Sequence, residues 1–205
     1  MNALSTPRTS TRTAAPYRFL AALSLAALVT TVTASGAHAA LTSYVATLSG
    51  ANESPANPST GTGFAQVDID DVAHTMHISV VFSGLLGTTT ASHIHCATTV
   101  AGAGTAGVAT TTPTFAGFPG SVTAGTYDNT LDLTSATSYN PSFVTAHGGT
   151  TAGAEAFLVQ GIVDGKAYLN IHTSVYAGGE IRGFLTPQAT PTSATSWGGV
   201  KSLFR

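Results

Sequence analysis

Cysteine occurs once in 205 residues, and Asp, Glu, Lys and Arg together make up only 8% of the chain. A lone Cys96 cannot close an internal disulfide, so the fold must stand on its own core. Seven Lys and Arg in all are too few and too scattered to grip a phosphate backbone, which excludes nucleic acid as a partner. Catalytic signatures are missing as well. There is no G-x-S-x-G elbow, no glycine-rich phosphate loop opening a helix and no cysteine placed with a basic histidine, so hydrolase chemistry is disfavoured.

What is present begins with an address. Arg8, Arg12 and Arg18 precede an uncharged apolar run, Phe19 to Ala34, and Ala37-His38-Ala39 offers the small-x-small pattern of a signal-peptidase site. Residues 1–39 are therefore expected to be a signal peptide cut after Ala39 or Ala40, leaving no stable membrane span. Three of the seven basic residues leave with it, so four basic against nine acidic residues give the mature chain a net charge of −5. Export places the protein in the periplasm or outside the cell. About 165 residues remain, enough for one domain, and the 43% apolar content supplies a normal interior.

Val, Thr, Phe and Tyr alternate in short runs broken by Gly, Asn, Asp and Pro, the pattern of many short strands. Strands are expected near 43–48, 63–69, 76–82, 92–95, 120–127, 166–173 and 180–185, with one helix in "TAGAEAFLVQGIVDG". The Ala/Gly/Thr segment 98–108 reads as a long mobile loop, and residues 186–205 as a flexible tail. Few helices and regular turns point to an all-β fold, a Greek-key sandwich or barrel with one short helix.

The histidines sort by strand alternation. In "SHIHC", His93 and His95 share one face while Ile94 and Cys96 take the other; in "KAYLNIHT", Ala167, Leu169 and Ile171 face the core and leave Tyr168, Asn170 and His172 opposite. Two histidines two apart on a strand have Cα atoms about 6.6 Å from each other. Both rings then reach one ion at roughly 2.0–2.1 Å, and a third imidazole from a neighbouring strand completes a tripod. Cys96, on the opposite face, reads as a small buried hydrophobe. His74 and His77 read as a turn residue and an outward strand residue. His147, before Gly148-Gly149, is placed to swing over the site as a fourth ligand or lid. Tyr168, Asn170, Glu180 and Arg182 are candidates to support the ligands without touching the ion.

The run "GKAYLNIHTSVYAGGEIRGFL" resembles the ending of the chordin-type domain, the CHRD domain, through Tyr168, Asn170, His172, Thr173, Gly179, Glu180, Ile181, Arg182 and Gly183. The opening "YVATLSGANESPANPSTGTG" and "SHIH" resemble the same family, so that the likeness runs from about residue 42 to residue 185. The chain departs from the family at Tyr176-Ala177, where a proline commonly stands, and in the insert after Cys96. The resemblance implies an immunoglobulin-like β domain but supplies no reaction. The histidine layout is also similar in arrangement to the copper ligands of Cu/Zn superoxide dismutases, without their zinc loop or disulfide.

Three functions follow as expectations. The first is a non-catalytic exported module that holds copper, with zinc as the alternative, through His93, His95 and His172. The second is an interaction or structural module without metal, meeting an extracellular protein or a surface polymer. The third is a copper-only dismutase-like enzyme in which Arg182 steers the anion; a chain of net charge −5 with no basic funnel argues against it.

Overall fold

The computed structural model describes residues 41–189; the expected signal peptide, and residues 190–205 of the expected tail, lie outside that range. Eight strands form one curled antiparallel sheet, a half-barrel, which agrees with the all-β expectation. They are β1 (Leu41–Ser49), β2 (Thr62–Asp70), β3 (Thr75–Ser83), β4 (Thr89–His95), β5 (Gly125–Asp132), β6 (Tyr168–Thr173), β7 (Ile181–Phe184) and β8 (Thr186–Pro187). The order across the sheet is β4-β6-β7-β1-β2-β3-β5, with β8 on β1.

One half of the sheet is built by strict alternation. Tyr44, Ala46 and Leu48 of β1, Ala65, Val67 and Ile69 of β2, and Met76, Ile78, Val80 and Phe82 of β3 all point into the core. Their neighbours face outward, as the period of two requires. The β2–β3 turn closes because Asp70 Oδ1 accepts from the backbone N–H of Val72 (3.0 Å) and Ala73 (2.8 Å), and because His74 takes φ 53°. Strand β5 starts later than the residues suggested, at Gly125 and not near 120, and joins β3 with Leu131 opposite Met76.

Helix α1 (Pro141–Ala146), which the sequence reading missed, and helix α2 (Thr151–Val163) complete the core. Asn140 and Thr150 cap them by accepting from Ser142 N and Gly153 N. From α2, Ala154, Leu158 and Ile162 are buried; each fully buried Leu or Ile contributes on the order of 1.5–3 kcal/mol. Gly161 sits where a Cβ would collide with Cys96 Sγ, so the buried thiol packs directly on the helix backbone. Burial pushes that thiol up to about 12, as an inert small hydrophobe requires. At the start of the expected tail, Thr186–Pro187 form β8 and Gln188 N donates to Ser43 O.

Candidate metal centre

Strands β4 and β6 are buried on both faces, unlike β1, β2 and β3. Their core face carries Ile94, Leu169 and Ile171; the other carries His93, His95, Tyr168, Asn170 and His172. The register sets His93 opposite Asn170 and His95 opposite Tyr168, so His172 lies one step diagonally from His93. One ligand nitrogen from each of His93, His95 and His172 lies within 4.8 Å of the other two.

What turns the rings is the loops above them. His93 Nδ1 bonds Pro113 O at 3.1 Å, His95 Nδ1 bonds Ala106 O at 2.8 Å and His172 Nδ1 bonds Ala177 O at 2.9 Å. A carbonyl oxygen only accepts, so each Nδ1 carries the proton and each Nε2 presents a lone pair. Two of those lone pairs face each other, with His93 Nε2 only 2.9 Å from His172 Nε2, while His95 Nε2 is buried without a partner. His93 is 6% exposed and His95 9%. Burial, and repulsion from His95 and His172, hold His93 down to about 3; burial, with Arg182 and His172 opposing charge, holds His95 down to about 4. Burial lowers His172 as well. The protein thus keeps three neutral imidazoles pointing at one spot.

Support comes from behind. The Tyr168 ring stacks on His95 with centroids 4.6 Å apart and planes 7° from parallel, and the Arg182 guanidinium carbon lies 4.6 Å from the Tyr168 centroid. Arg182, 4% exposed, donates to Asn52 O (2.5 Å) and Gly104 O (3.0 Å) and meets Glu53 Oε2 at 3.8 Å. Glu180 accepts from Ser59 Oγ (2.6 Å), Thr173 Oγ1 (2.6 Å), Leu86 N (2.5 Å) and Gly87 N (3.1 Å). Burial opposes its ionisation, yet those four donors together hold its carboxyl below the ordinary range. Asn170 packs under Gly179, whose φ of 129° and lack of a side chain permit the approach: a Cβ there would stand 2.6 Å from Asn170 Nδ2.

His147 does not join the cluster. It ends α1 with its N–H on Phe143 O and Val144 O, and its ring stacks on Phe157 with centroids 3.6 Å apart. Glu180 and Arg182 do not pair with each other but with separate loops. The segment read as a mobile loop is a wall of the site: Thr98 N bonds Lys166 O, Gly102 N bonds Gly165 O, and His95 bridges Val108. Three participants escaped the sequence reading, namely the carbonyls of Ala106, Pro113 and Ala177, because a backbone acceptor has no residue signature. Glu53 escaped too, although it stands in the "ANESP" run; burial pushes its carboxyl up to about 7 against the pull of Arg182.

A half-barrel whose second face is roofed by loops over a histidine cluster is the frame of an all-β binding or structural module, with its distinctive chemistry confined to two strands. The CHRD domain model matches residues 44–185, and the chain belongs to that family. No curated protein and no solved structure matches it. No helix among the described residues is long and apolar enough to cross a membrane.

Proposed function

We propose that this CHRD domain is an exported, non-catalytic binding module whose His93, His95 and His172 hold one transition-metal ion, copper in the first place and zinc as the alternative. The observation that carries the reading is the facing pair of Nε2 lone pairs, with all three Nδ1 protons committed to backbone carbonyls. Without a cation that contact is lone pair against lone pair, and protonation is opposed by burial. A metal seated against the three nitrogens removes the conflict, and the carbonyl-bound Nδ1–H groups orient the ligands in the usual way.

The dismutase-like alternative loses its steering group. Arg182 is buried and fixed by Asn52 O, Gly104 O and Tyr168, so it supports the ligand set from beneath and presents no guanidinium to an incoming anion. The interaction-module alternative keeps one specific support: the same three Nδ1 bonds tie the loops at Ala106, Pro113 and Ala177 to the strands, which a purely structural role would also require.

Titration of the purified protein with Cu(II) and Zn(II), beside His172→Ala and the triple alanine variant of the cluster, tests the proposal. One equivalent should bind to the wild type, with at least a hundredfold loss in His172→Ala, whose side chain is the least buried of the three. A metal at a hundred times its Kd should add about 2.7 kcal/mol of stability. Equal binding by wild type and His172→Ala, with only the melting temperature changed, would leave the histidines as loop fasteners.

A further inference from the structure

Resting on the metal reading above, we infer that the triad is a cuprous site, taking Cu(I) in three-coordinate form in preference to Cu(II) or Zn(II). Ligand number is the first reason. Among the described residues the cluster contains no fourth His, Cys, Asp or Glu. Cys96 lies on the opposite strand face against Gly161, and His147 is stacked on Phe157. Zinc takes four ligands, and Cu(II) favours a tetragonal set of four or more, so each would need water or another donor to complete it. His95 Nε2 is out of contact with solvent, and Cu(I), a closed-shell ion, is content with three nitrogens.

Charge is the second reason. All three donors present neutral imidazole nitrogens, and the buried Arg182 guanidinium lies on the Tyr168 ring that stacks on His95, where its charge opposes a cation. Glu53, the carboxyl facing Arg182 at 3.8 Å, is not among the ligand groups. The desolvation cost of an ion grows with the square of its charge, so a divalent ion without an anionic ligand is penalised about four times as heavily as a monovalent one. Spacing agrees. Three bonds of about 2.0 Å in a plane put the nitrogens roughly 3.5 Å apart. The observed separations, 2.9 Å for the His93–His172 pair and none above 4.8 Å, bracket that value. No sulfur donor is present, so the preference comes from coordination number and charge, not from ligand softness.

The test compares affinities in the purified wild-type protein. Cu(I) is titrated anaerobically with ascorbate against bicinchoninate, and Cu(II) and Zn(II) against competing chelators. Cu(I) is expected to bind at least a hundredfold more tightly than either divalent ion. Between the two copper states that ratio raises the potential of the bound couple by about 120 mV over free copper, at 59 mV per tenfold. Cu(II) or Zn(II) binding as tightly as Cu(I) would overturn the cuprous assignment and leave the metal centre standing. Failure of the wild type to bind any of the three would overturn both.

Discussion

Strand β3 holds His77 on the open face of the sheet, its ring 3.5 Å from Asp68 and 3.2 Å from Asp128. Strands β4 and β6 hold three histidines under a roof of loops, without a carboxylate in the group. The Asp128 hydrogen bond, against some burial, raises His77; burial lowers His93, His95 and His172. Both sets sit at alternate positions on antiparallel strands of one sheet, so alternation does not separate them. The difference is what covers each face. Water and carboxylates make a histidine a better base, whereas packed loops and backbone acceptors make it a neutral ligand.

The largest effect should come from unroofing the buried side. Glu180→Ala removes the acceptor shared by Ser59, Thr173, Leu86 and Gly87, stranding two backbone N–H groups and freeing the turn that carries Ala177. A loss of about 3–5 kcal/mol is expected, the scale for breaking a buried charged network, measured by urea denaturation without metal. A loss under 1 kcal/mol would mean that the roof is held by something other than this carboxylate.

A pH series sharpens the contrast next. For the triad the folded values lie below the ordinary 6.5, so the unfolded chain binds more protons between about 3 and 6.5. Stability of the metal-free protein should therefore be full above 6.5 and fall as pH drops through that window. Glu53 acts with the opposite sign. Its folded value, about 7, exceeds the ordinary 4.5, so its contribution is present below 4.5 and is lost as pH rises to 7. Between 4.5 and 6.5 the two contributions overlap and oppose, and three imidazoles outweigh one carboxyl, so the optimum falls near 6.5, at the top of the triad's window. Glu53→Gln should remove the opposing contribution and so steepen the net rise in stability from 4.5 to 7, and His95→Gln should weaken the acid limb, each by on the order of 1–3 kcal/mol. A metal-free protein with no loss of stability down to pH 4 would show that the triad is not held neutral by burial.

How much of this was legible follows from where the information sits. The hairpin β2–β3 could be read because Phe64 to Asp70 and Met76 to Phe82 alternate and Asp70 closes the turn by its own side chain. The pair His93 and His95, and the face shared by Tyr168, Asn170 and His172, followed from the same period. The roof could not be read. Residues 98–108 have almost no apolar pattern, and what orders them is backbone bonding to Lys166, Gly165 and Arg182 from distant positions. The late start of β5 and the capture of Thr186–Pro187 by β1 are likewise decisions of pairing partners, not of local composition. His147 misled because a histidine beside two glycines gives no hint of an aromatic neighbour such as Phe157, ten residues further on.

The smallest effect belongs to the open side, and there the sign matters more than the size. His77 is raised by its carboxylate neighbours, so whatever it contributes is present below the ordinary 6.5 and fades as pH climbs through its folded value. Because the ring is 37% exposed and its Asp128 partner 73%, solvent screens the pairs, and His77→Ala should cost under about 0.5 kcal/mol at pH 5.5. At pH 9 the cost should vanish, the reverse of the triad, whose contribution is complete there. Urea denaturation of wild type and His77→Ala at the two pH values reads this directly. A cost above 1 kcal/mol that persists at pH 9 would show that His77 acts through packing on the sheet and not through charge, and the division of the histidines by what covers them would then need a different basis on this side of the molecule.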